Sequence, residues 1–306
     1  MNRLESAPGI LPLYLKSALP LVPAASRLPF VPGGGGEIPA GLEFELEKVT
    51  ADPGRLAGYA RVCGYPLRET LPPAFPHVLA FPLQMAVMSD GAFPVGAVGL
   101  VHISNRITQL RPIGRSEEMA IKVSPTPLED HSKGMSFSLL TEITVEGETV
   151  WTETSTMLSR GRPTQPAAQE PSGESFPSLD QKTPASAVWK LPGDLGRRYG
   201  AVSGDRNPIH MHPLAAKAFG FPAAIAHGMW TKARALAQLE NQLPESFTTE
   251  VRFRRPILLP AKVEFAAETD DQPILFSVRD ARKKTPHLDG LIRPFNPDSD
   301  KEKTQR

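Results

Sequence analysis

The sequence has almost no cysteine, because Cys63 is the single one among 306 residues. One cysteine cannot form an intrachain disulfide, and it excludes a metal site built from several thiolates. Low cysteine usage is typical of a reducing compartment, so we expect the protein to be cytoplasmic.

An excess of charge of one sign is also lacking, since 34 basic residues are balanced by 33 acidic ones. The sequence therefore offers no basic field for nucleic acid and no polybasic membrane anchor. No uninterrupted apolar run approaches the ~20 residues of a membrane-spanning helix. Residues 10–26 loosely resemble a signal peptide, but Lys16 and three prolines (Pro12, Pro20 and Pro23) argue against an apolar secretory helix. We expect a soluble protein with neither a nucleic-acid nor a membrane partner.

Proline is abundant, at 33 residues, and it clusters outside two blocks that each have the size of a small domain. Residues 162–186 are polar and contain five prolines, which is typical of an extended linker. The sequence thus predicts five segments: an irregular N-terminal segment (1–40), a first domain (41–161), a linker (162–185), a second domain (186–296) and a charged tail (297–306).

The two blocks resemble each other, which predicts a duplicated unit. Three pairs of segments match in the same order and at a nearly constant offset: 59–64 with 199–204, 75–80 with 221–226, and 111–113 with 255–257. Each match is weak alone, but their common order and offset indicate an internal repeat.

Each block is predicted to contain a short strand, a helix, a more apolar helix and then several strands of alternating polarity. The short strands are predicted at 42–50 and 186–191, and the apolar helices at 77–88 and 224–239. The later strands are predicted at 99–110, 118–123, 135–145 and 149–158, and at 249–254, 262–265 and 276–279. The apolar helices can be buried only if the strands wrap round them. This arrangement predicts an α+β fold.

One segment of the second block, residues 199–210, reads YGAVSGDRNPIH. It places a carboxylate, Asp205, five residues before an imidazole, His210, with Asn207 and Pro208 between them. A loop that enters a helix can direct both groups into one pocket, and Pro208 stiffens that loop. Histidine can exchange a proton near neutral pH. Taken alone, Asp-x-Asn-Pro is also typical of a turn that caps a helix.

The whole motif resembles the signature of the MaoC-like, or hydratase-2, family of (R)-specific enoyl-CoA hydratases and (3R)-hydroxyacyl-thioester dehydratases. Residues 40–295 resemble the double-hot-dog members, in which two antiparallel sheets each wrap round a central apolar helix. The resemblance implies a hydro-lyase of acyl-CoA or acyl-ACP thioesters, as monomer or homodimer, that requires no cofactor. It implies Asp205 and His210 as the catalytic pair, Asn207 as a site-ordering residue and the Gly228 N–H as an oxyanion donor.

The first block lacks these groups. After Gly64 it continues with Tyr65 and Pro66, and Phe81-Pro82 replaces His227-Gly228 of the second block. Proline has no N–H to donate. We therefore predict that the first block is noncatalytic and supplies a wall of the acyl pocket.

Several alternatives stay open at this point. Arg254 and Arg255 either bind the phosphates of the acyl carrier or are simply solvated. His212 and His227 are expected to be structural or to line the pocket. A metal site at His210, His212 and His227 is conceivable, but none is predicted, because no carboxylate or thiolate completes a familiar ligand spacing. A hot-dog thioesterase and a noncatalytic acyl-binding subunit are the rival functions.

Overall fold

The computed structural model describes residues 2–18, 35–97, 99–161 and 176–296. Most of the predicted linker (162–175) and the predicted tail (297–306) lie outside the described residues, as do residues 19–34. The helices are α1 (Ile10–Ala18), α2 (Pro53–Cys63), α3 (Phe75–Met88), α4 (Leu195–Ser203), α5 (Pro208–Met211), α6 (Pro213–Ala218) and α7 (Gly228–Gln238), followed by a 3-10 turn (Glu240–Gln242). The strands are β1 (Asn2–Leu4), β2 (Phe44–Val49), β3 (Val101–Gln109), β4 (Met119–Pro125), β5 (Glu129–His131), β6 (Gly134–Val145), β7 (Glu148–Arg160), β8 (Ala187–Leu191), β9 (Phe247–Phe253), β10 (Ala261–Glu268), β11 (Ile274–Asp280) and β12 (Pro286–Pro294).

The strands form one continuous sheet in the order β1-β2-β4-β6-β7-β3-β9-β12-β11-β10-β8, with β5 beside β6. Pairing is antiparallel except between β1 and β2. Strands β3 and β9 join the two halves edge to edge, with Asn105 opposite Val251 and Ile107 opposite Thr249. The predicted α+β class is correct, and the sequence did not indicate that the two sheets would merge into one.

Each half of the sheet curves round one central helix, α3 in the first half and α7 in the second. All 14 residues of α3 are buried, as expected for a helix that is apolar on every side. Helix α7 begins at Gly228, four residues later than predicted. The preceding residues are extended instead, because Ile225 bridges Leu258 and the Ala226 N–H donates to the Ile257 carbonyl.

The segments that carry the internal repeat adopt the same local structure. Helices α2 and α4 each end at a glycine in the left-handed conformation, Gly64 (φ 81°) and Gly204 (φ 84°), which only glycine adopts at low cost. The two helices pack together, with the rings of Tyr59 and Tyr199 6.1 Å apart.

The N-terminal segment is not irregular throughout, so that prediction is wrong for the residues of β1 and α1. Strand β1 extends the sheet beside β2, and α1 packs against α3. Pro12 does not interrupt α1, because it lies in the first turn, where backbone N–H groups have no intrahelical acceptor. In the described part of the chain, no helix has the length and apolar character needed to cross a membrane.

The end of the predicted linker, residues 176–185, is packed against the second half and is not a free spacer. Arg279 donates to the carbonyl oxygens of Gln181 (2.7 Å) and Thr183 (2.5 Å), and Leu179 is buried. These contacts satisfy a buried guanidinium, which also pairs with Glu264. The sequence also did not predict four elements of the second and first halves, namely strands β5 and β12 and the short helices α5 and α6.

Candidate active site

A cavity of about 300 Å³ lies between the two halves of the molecule. The first half lines it with one face of α3 and the start of β3. The second half lines it with the end of the motif, the start of α7 and the end of β9, and α1 adds two side chains. The residues used below that line the cavity are Tyr14, His77, Gln84, Met85, His102, Asp205, Asn207, His210, His227, Gly228, Phe253, Arg254 and Arg255.

Asp205 reaches the cavity from the loop that follows α4. Its Oδ1 accepts hydrogen bonds from the Tyr14 hydroxyl (2.8 Å) and from the Asn207 N–H (3.1 Å). Burial acts to raise the pKa of Asp205, but the two neighbouring imidazoles and these hydrogen bonds outweigh burial and lower it. The carboxyl group is therefore ionised at neutral pH.

His210 lies on α5, a single turn whose start is capped by the Asn207 side chain, which accepts from the Ile209 N–H (3.4 Å). The Nδ1 atom of His210 lies 2.8 Å from the Ile225 carbonyl oxygen. A carbonyl oxygen can only accept, so Nδ1 carries a proton and Nε2 is the free acceptor of the neutral ring. Burial lowers the pKa of His210, against the opposing influence of Asp205.

A glycine in α4 allows α5 to approach closely. A Cβ atom on Gly196 would overlap the backbone carbonyl oxygen of His210. Any side chain at this position would therefore push α5, and the imidazole it carries, out of place. This role could not be predicted from the sequence, because it depends on a contact between two helices.

His227 stands beside both groups of the motif. Its ring stacks on that of His210, with centroids 3.7 Å apart. Its Nε2 donates to the backbone carbonyl oxygen of Asp205 (3.0 Å). Burial, followed by the influence of His210, lowers the pKa of His227 to about 3. The ring is therefore neutral at physiological pH, and it fixes the orientation of its neighbours.

Gly228 is the first residue of α7, so its N–H has no acceptor within the helix and carries partial positive charge. A Cβ atom at this position would lie 2.8 Å from the Phe253 ring. The absence of a side chain thus allows the aromatic ring to pack against the helix start. Gly228 lines the same cavity as Asp205 and His210.

Arg254 and Arg255 both lie at the exposed side of the cavity. The Arg254 Nε donates to Asp289 Oδ2 (2.8 Å), which holds this guanidinium at the rim. The carbonyl oxygen of Arg255 lies 3.1 Å from His287 Nδ1. This position agrees with both alternatives for the two arginines, which are binding of the carrier's phosphates and simple solvation.

Besides Gly196, two residues that support the site were not predicted from the sequence. One is Tyr14, which comes from α1, a segment predicted to be irregular. The other is Arg55 of α2, which donates to the carbonyl oxygens of Val202 (2.6 Å) and Ser203 (2.9 Å) at the end of α4. These carbonyls have no partner within the helix, so Arg55 fixes the point from which the Asp205 loop departs. Neither contact has a local signal in the sequence.

The site also contains the ligand types of a metal centre. The donor atoms of Asp205, His210 and His227 all lie within 4.8 Å of one another. The sequence spacing did not reveal this cluster, because Asp205 joins His210 and His227 only through the fold. His212 does not take part, since its Nδ1 accepts the Leu214 N–H at the start of α6.

Chemically, the arrangement offers two proton acceptors and one amide donor at one cavity. The ionised Asp205 carboxylate and the neutral His210 Nε2 can hold a water molecule between them and exchange protons with it. The Gly228 N–H can hold an oxygen atom that gains negative charge. These are the elements required to add water to, or remove it from, a carbonyl-activated double bond.

Comparison with solved structures confirms the fold. The chain superimposes with a TM-score of 0.51 on a Mycobacterium tuberculosis protein described as having a double hot-dog fold, at 12% identity over 85% of this chain and 96% of that one. It also superimposes with a TM-score of 0.73 on the crystal structure of HtdX from M. tuberculosis, at 34% identity over 83% of this chain and all of that one.

Sequence comparison identifies the family. Residues 178–290 match the family model described as "MaoC like domain". The chain is 34% identical over 276 residues to 3-hydroxyacyl-thioester dehydratase X of M. tuberculosis, which covers 90% of this chain and 94% of that protein. The chain therefore belongs to the MaoC-like dehydratase family, as the motif predicted.

Proposed function

We propose that the protein is a hydro-lyase that interconverts (3R)-3-hydroxyacyl thioesters and trans-2-enoyl thioesters. The observation that supports this most directly is the convergence of Asp205, His210 and the Gly228 N–H on one cavity between the halves. Membership of a family whose relative is a 3-hydroxyacyl-thioester dehydratase supports the same assignment.

In the hydration direction, water donates hydrogen bonds to the Asp205 carboxylate and to His210 Nε2. One of these groups takes a proton as the water oxygen bonds to C3 of the enoyl chain. The electron pair of the double bond moves towards the thioester carbonyl, where the Gly228 N–H stabilises the negative charge on oxygen. Asp205 and His210 together then return a proton to C2. Dehydration is the reverse, and neither direction needs a redox or metal cofactor.

The first half acts as a wall of the acyl pocket and carries out no chemistry of its own. Pro82, which replaces Gly228 in the repeat, lies inside α3 and has no N–H. The face of α3 that is directed to the cavity supplies side chains such as Phe81 and Met85 in place of the missing polar groups. One active site per chain follows from this asymmetry.

An assay with a trans-2-enoyl-CoA tests the proposal against its rivals. We expect loss of the enoyl absorbance without release of free thiol. A thioesterase would release thiol, and a noncatalytic acyl-binding subunit would do neither. Either of these two outcomes would contradict the assignment.

The hydroxyl of Tyr14 positions the Asp205 carboxylate, and Tyr14→Phe tests this role. Burial, together with the charge on Asp205, raises the pKa of Tyr14, so the hydroxyl stays protonated and donates. This hydrogen bond lowers the pKa of Asp205. Its loss raises that pKa, so protonation begins at higher pH. We expect kcat/KM for hydration to fall about tenfold and its acid limb to move to higher pH.

Ser17→Ala is the matched control for Tyr14→Phe. Ser17 also lies on α1 and hydrogen-bonds to Ser89 (2.7 Å), but it has no contact with Asp205. We expect it to leave the position of the acid limb unchanged. An equal shift in both variants would show that the docking of α1, rather than the Tyr14 hydroxyl, controls the site.

The remaining assignments follow from the same site. Arg254 and Arg255 bind the phosphates of the CoA or acyl-carrier-protein arm, because they lie at the exposed rim of the cavity. The enzyme acts in the cytoplasm as a monomer or a homodimer, and a mass measurement in solution decides between these two states.

A further inference from the structure

The helix that carries the proposed oxyanion donor is tied to the noncatalytic half by one buried lysine. Lys232 lies on α7, about one helical turn after Gly228. Its side chain is fully buried. Because lysine is almost never fully buried unless its ammonium group is paired, its presence here needs an explanation.

The side chain of Lys232 reaches three oxygen acceptors on the two strands where the halves join. Its Nζ donates to Asn105 Oδ1 (2.5 Å) and to the Asn105 carbonyl oxygen (3.3 Å), both on β3 of the first half. It also donates to the Thr249 carbonyl oxygen (3.2 Å) on β9. The three N–H donors of an ammonium group thus meet three acceptors. The start of α7 is therefore attached directly to the junction between β3 and β9.

Asn105 is itself fixed by a buried carboxylate of the first half. Its Nδ2 donates to Glu153 Oε1 (2.6 Å). The Glu153 carboxylate also accepts from Gln84 Nε2 (2.9 Å) and from His77 Nδ1 (2.8 Å) on α3. The amide of Asn105 therefore cannot rotate away from Lys232 without breaking its bond to Glu153. Lys232 thus binds to a rigid acceptor.

The internal repeat shows that this lysine accompanies the catalytic helix alone. At the offset that relates residues 75–80 to residues 221–226, the counterpart of Gly228 is Pro82 and that of Lys232 is Ala86. Ala86 lies on α3 and has no donor group. The half that lacks the proposed oxyanion donor thus also lacks the lysine.

Stability alone is a poor explanation for Lys232. Replacing buried charged groups by apolar residues of similar volume is often neutral or stabilising, because removing a charge from water is unfavourable. An apolar side chain would therefore hold the halves together equally well. Hydrogen bonds, in contrast, require defined distances and angles, so three of them fix one position of the helix. The lysine is better suited to that task.

We propose that Lys232 is a positioning residue that holds the first turn of α7, and with it the Gly228 N–H, in place for the reacting thioester. The first half then contributes to catalysis as well as to the pocket, because two of the three acceptors belong to Asn105. This inference rests on the proposed function, since it acts through the oxyanion donor assigned there. Lys232 does not line the cavity, so it does not contact the substrate.

A double-mutant cycle with the Gly228 variants tests whether Lys232 acts through that N–H. Lys232→Met keeps an apolar chain of similar length and removes the three donors. We would measure kcat for a trans-2-enoyl-CoA in the Gly228→Ala background, which keeps the N–H, and in the Gly228→Pro background, which lacks it. Because burial lowers the pKa of Lys232 to about 7, the assay is run below that pH, where Nζ is protonated.

In the alanine background we expect Lys232→Met to lower kcat about ten- to a hundredfold, because a displaced donor stabilises the oxyanion less well. In the proline background we expect a change of less than about twofold, since that donor is already absent. The Kd of octanoyl-CoA should change by less than about twofold in every variant, because the donor acts on charge that develops during the reaction. A general loss of structure would instead weaken binding and lower kcat together.

Arg234→Met is the matched control on the same helix. Arg234 also donates to carbonyl oxygens of the first half, those of Cys63 (3.3 Å) and Gly64 (3.5 Å), but these lie at the end of α2. We expect its effect on kcat to be the same in both backgrounds. Lys232→Gln keeps an N–H donor on a shorter side chain, so it repeats the cycle with a smaller loss where the methionine variant does not fold. Circular dichroism checks the fold of each variant.

The outcomes separate this inference from the proposed function. If the wild type hydrates the enoyl-CoA but both Lys232 variants lower kcat by equal factors in the two backgrounds, or not at all, the inference is wrong and the function stands. Equal kcat values for Gly228→Pro and Gly228→Ala would likewise overturn only the inference. A wild type that does not hydrate the enoyl-CoA would overturn both.

Discussion

Replacing Asp205 by asparagine should lower kcat for the hydration of a trans-2-enoyl-CoA by about two to four orders of magnitude. The asparagine side chain cannot take a proton from water, and it removes the negative charge that faces His210. The effect should appear in kcat, because water activation belongs to the chemical step and not to acyl binding. Steady-state kinetics at saturating substrate measure it directly.

The fold should survive this change. An amide oxygen can still accept from the Tyr14 hydroxyl and from the Asn207 N–H, the two donors that now hold Oδ1. Asp280→Asn is a matched control, since Asp280 Oδ1 makes the same kind of local bond to the Arg282 N–H (2.9 Å) and does not line the cavity. We expect the control to retain wild-type kcat.

His210→Ala should reduce kcat by a similar factor, about two to four orders of magnitude. His212→Ala is its control, because that ring caps α6 and has no contact with the Asp205 carboxylate. The double variant of Asp205 and His210 should be little slower than the slower single variant, since both groups act on one water molecule. Near-normal rates in both single variants would contradict the assignment of this pair.

Apart from Gly228, Arg254 and Arg255, the parts of the site that the sequence predicted lie within one continuous segment. Asp205, Asn207 and His210 are close in the chain, and the cap that Asn207 forms at the start of α5 is a local interaction. The alternating strands and the apolar helix α3 were predicted for the same reason, since periodicity reports which face of an element is buried.

The remaining parts depend on contacts between distant segments. Tyr14 and Asp205 are 191 positions apart, and nothing near Tyr14 marks it as a hydrogen-bond donor to a carboxylate. Arg55 reaches the end of α4 from the other half of the chain. Gly196 matters only because α5 crosses it. A single sequence contains no signal for such pairings, since each is decided by tertiary packing.

The merging of the two sheets also depends on contacts between distant segments. Strand β3 pairs with β9 through residues such as Ile107 and Thr249, and both strands have ordinary alternating patterns. Alternation identifies a strand but not its neighbour. This junction lies next to the buried polar network of Asn105 and Lys232, which alternation along single strands does not reveal either.

Replacing Gly228 by proline should lower kcat by a further factor of about a hundred to a thousand relative to Gly228→Ala, which is the usual contribution of one oxyanion donor. Proline lacks the N–H that is proposed to stabilise the oxyanion, whereas alanine keeps it. Proline is favoured at the first position of a helix, and the preceding residue, His227, already has the extended backbone (φ −66°, ψ 137°) that proline requires. The helix itself should therefore form in both variants.

Gly228→Ala is the necessary reference because any Cβ at this position crowds the Phe253 ring at 2.8 Å. Its own loss of activity measures that crowding, and the difference between the two variants measures the N–H. The affinity for a saturated acyl-CoA should differ little between them, since the donor acts mainly on charge that develops during the reaction. Equal kcat values in the proline and alanine variants would place the oxyanion elsewhere. The motif would then hold the water through Asp205 and His210 while another donor stabilised the enolate.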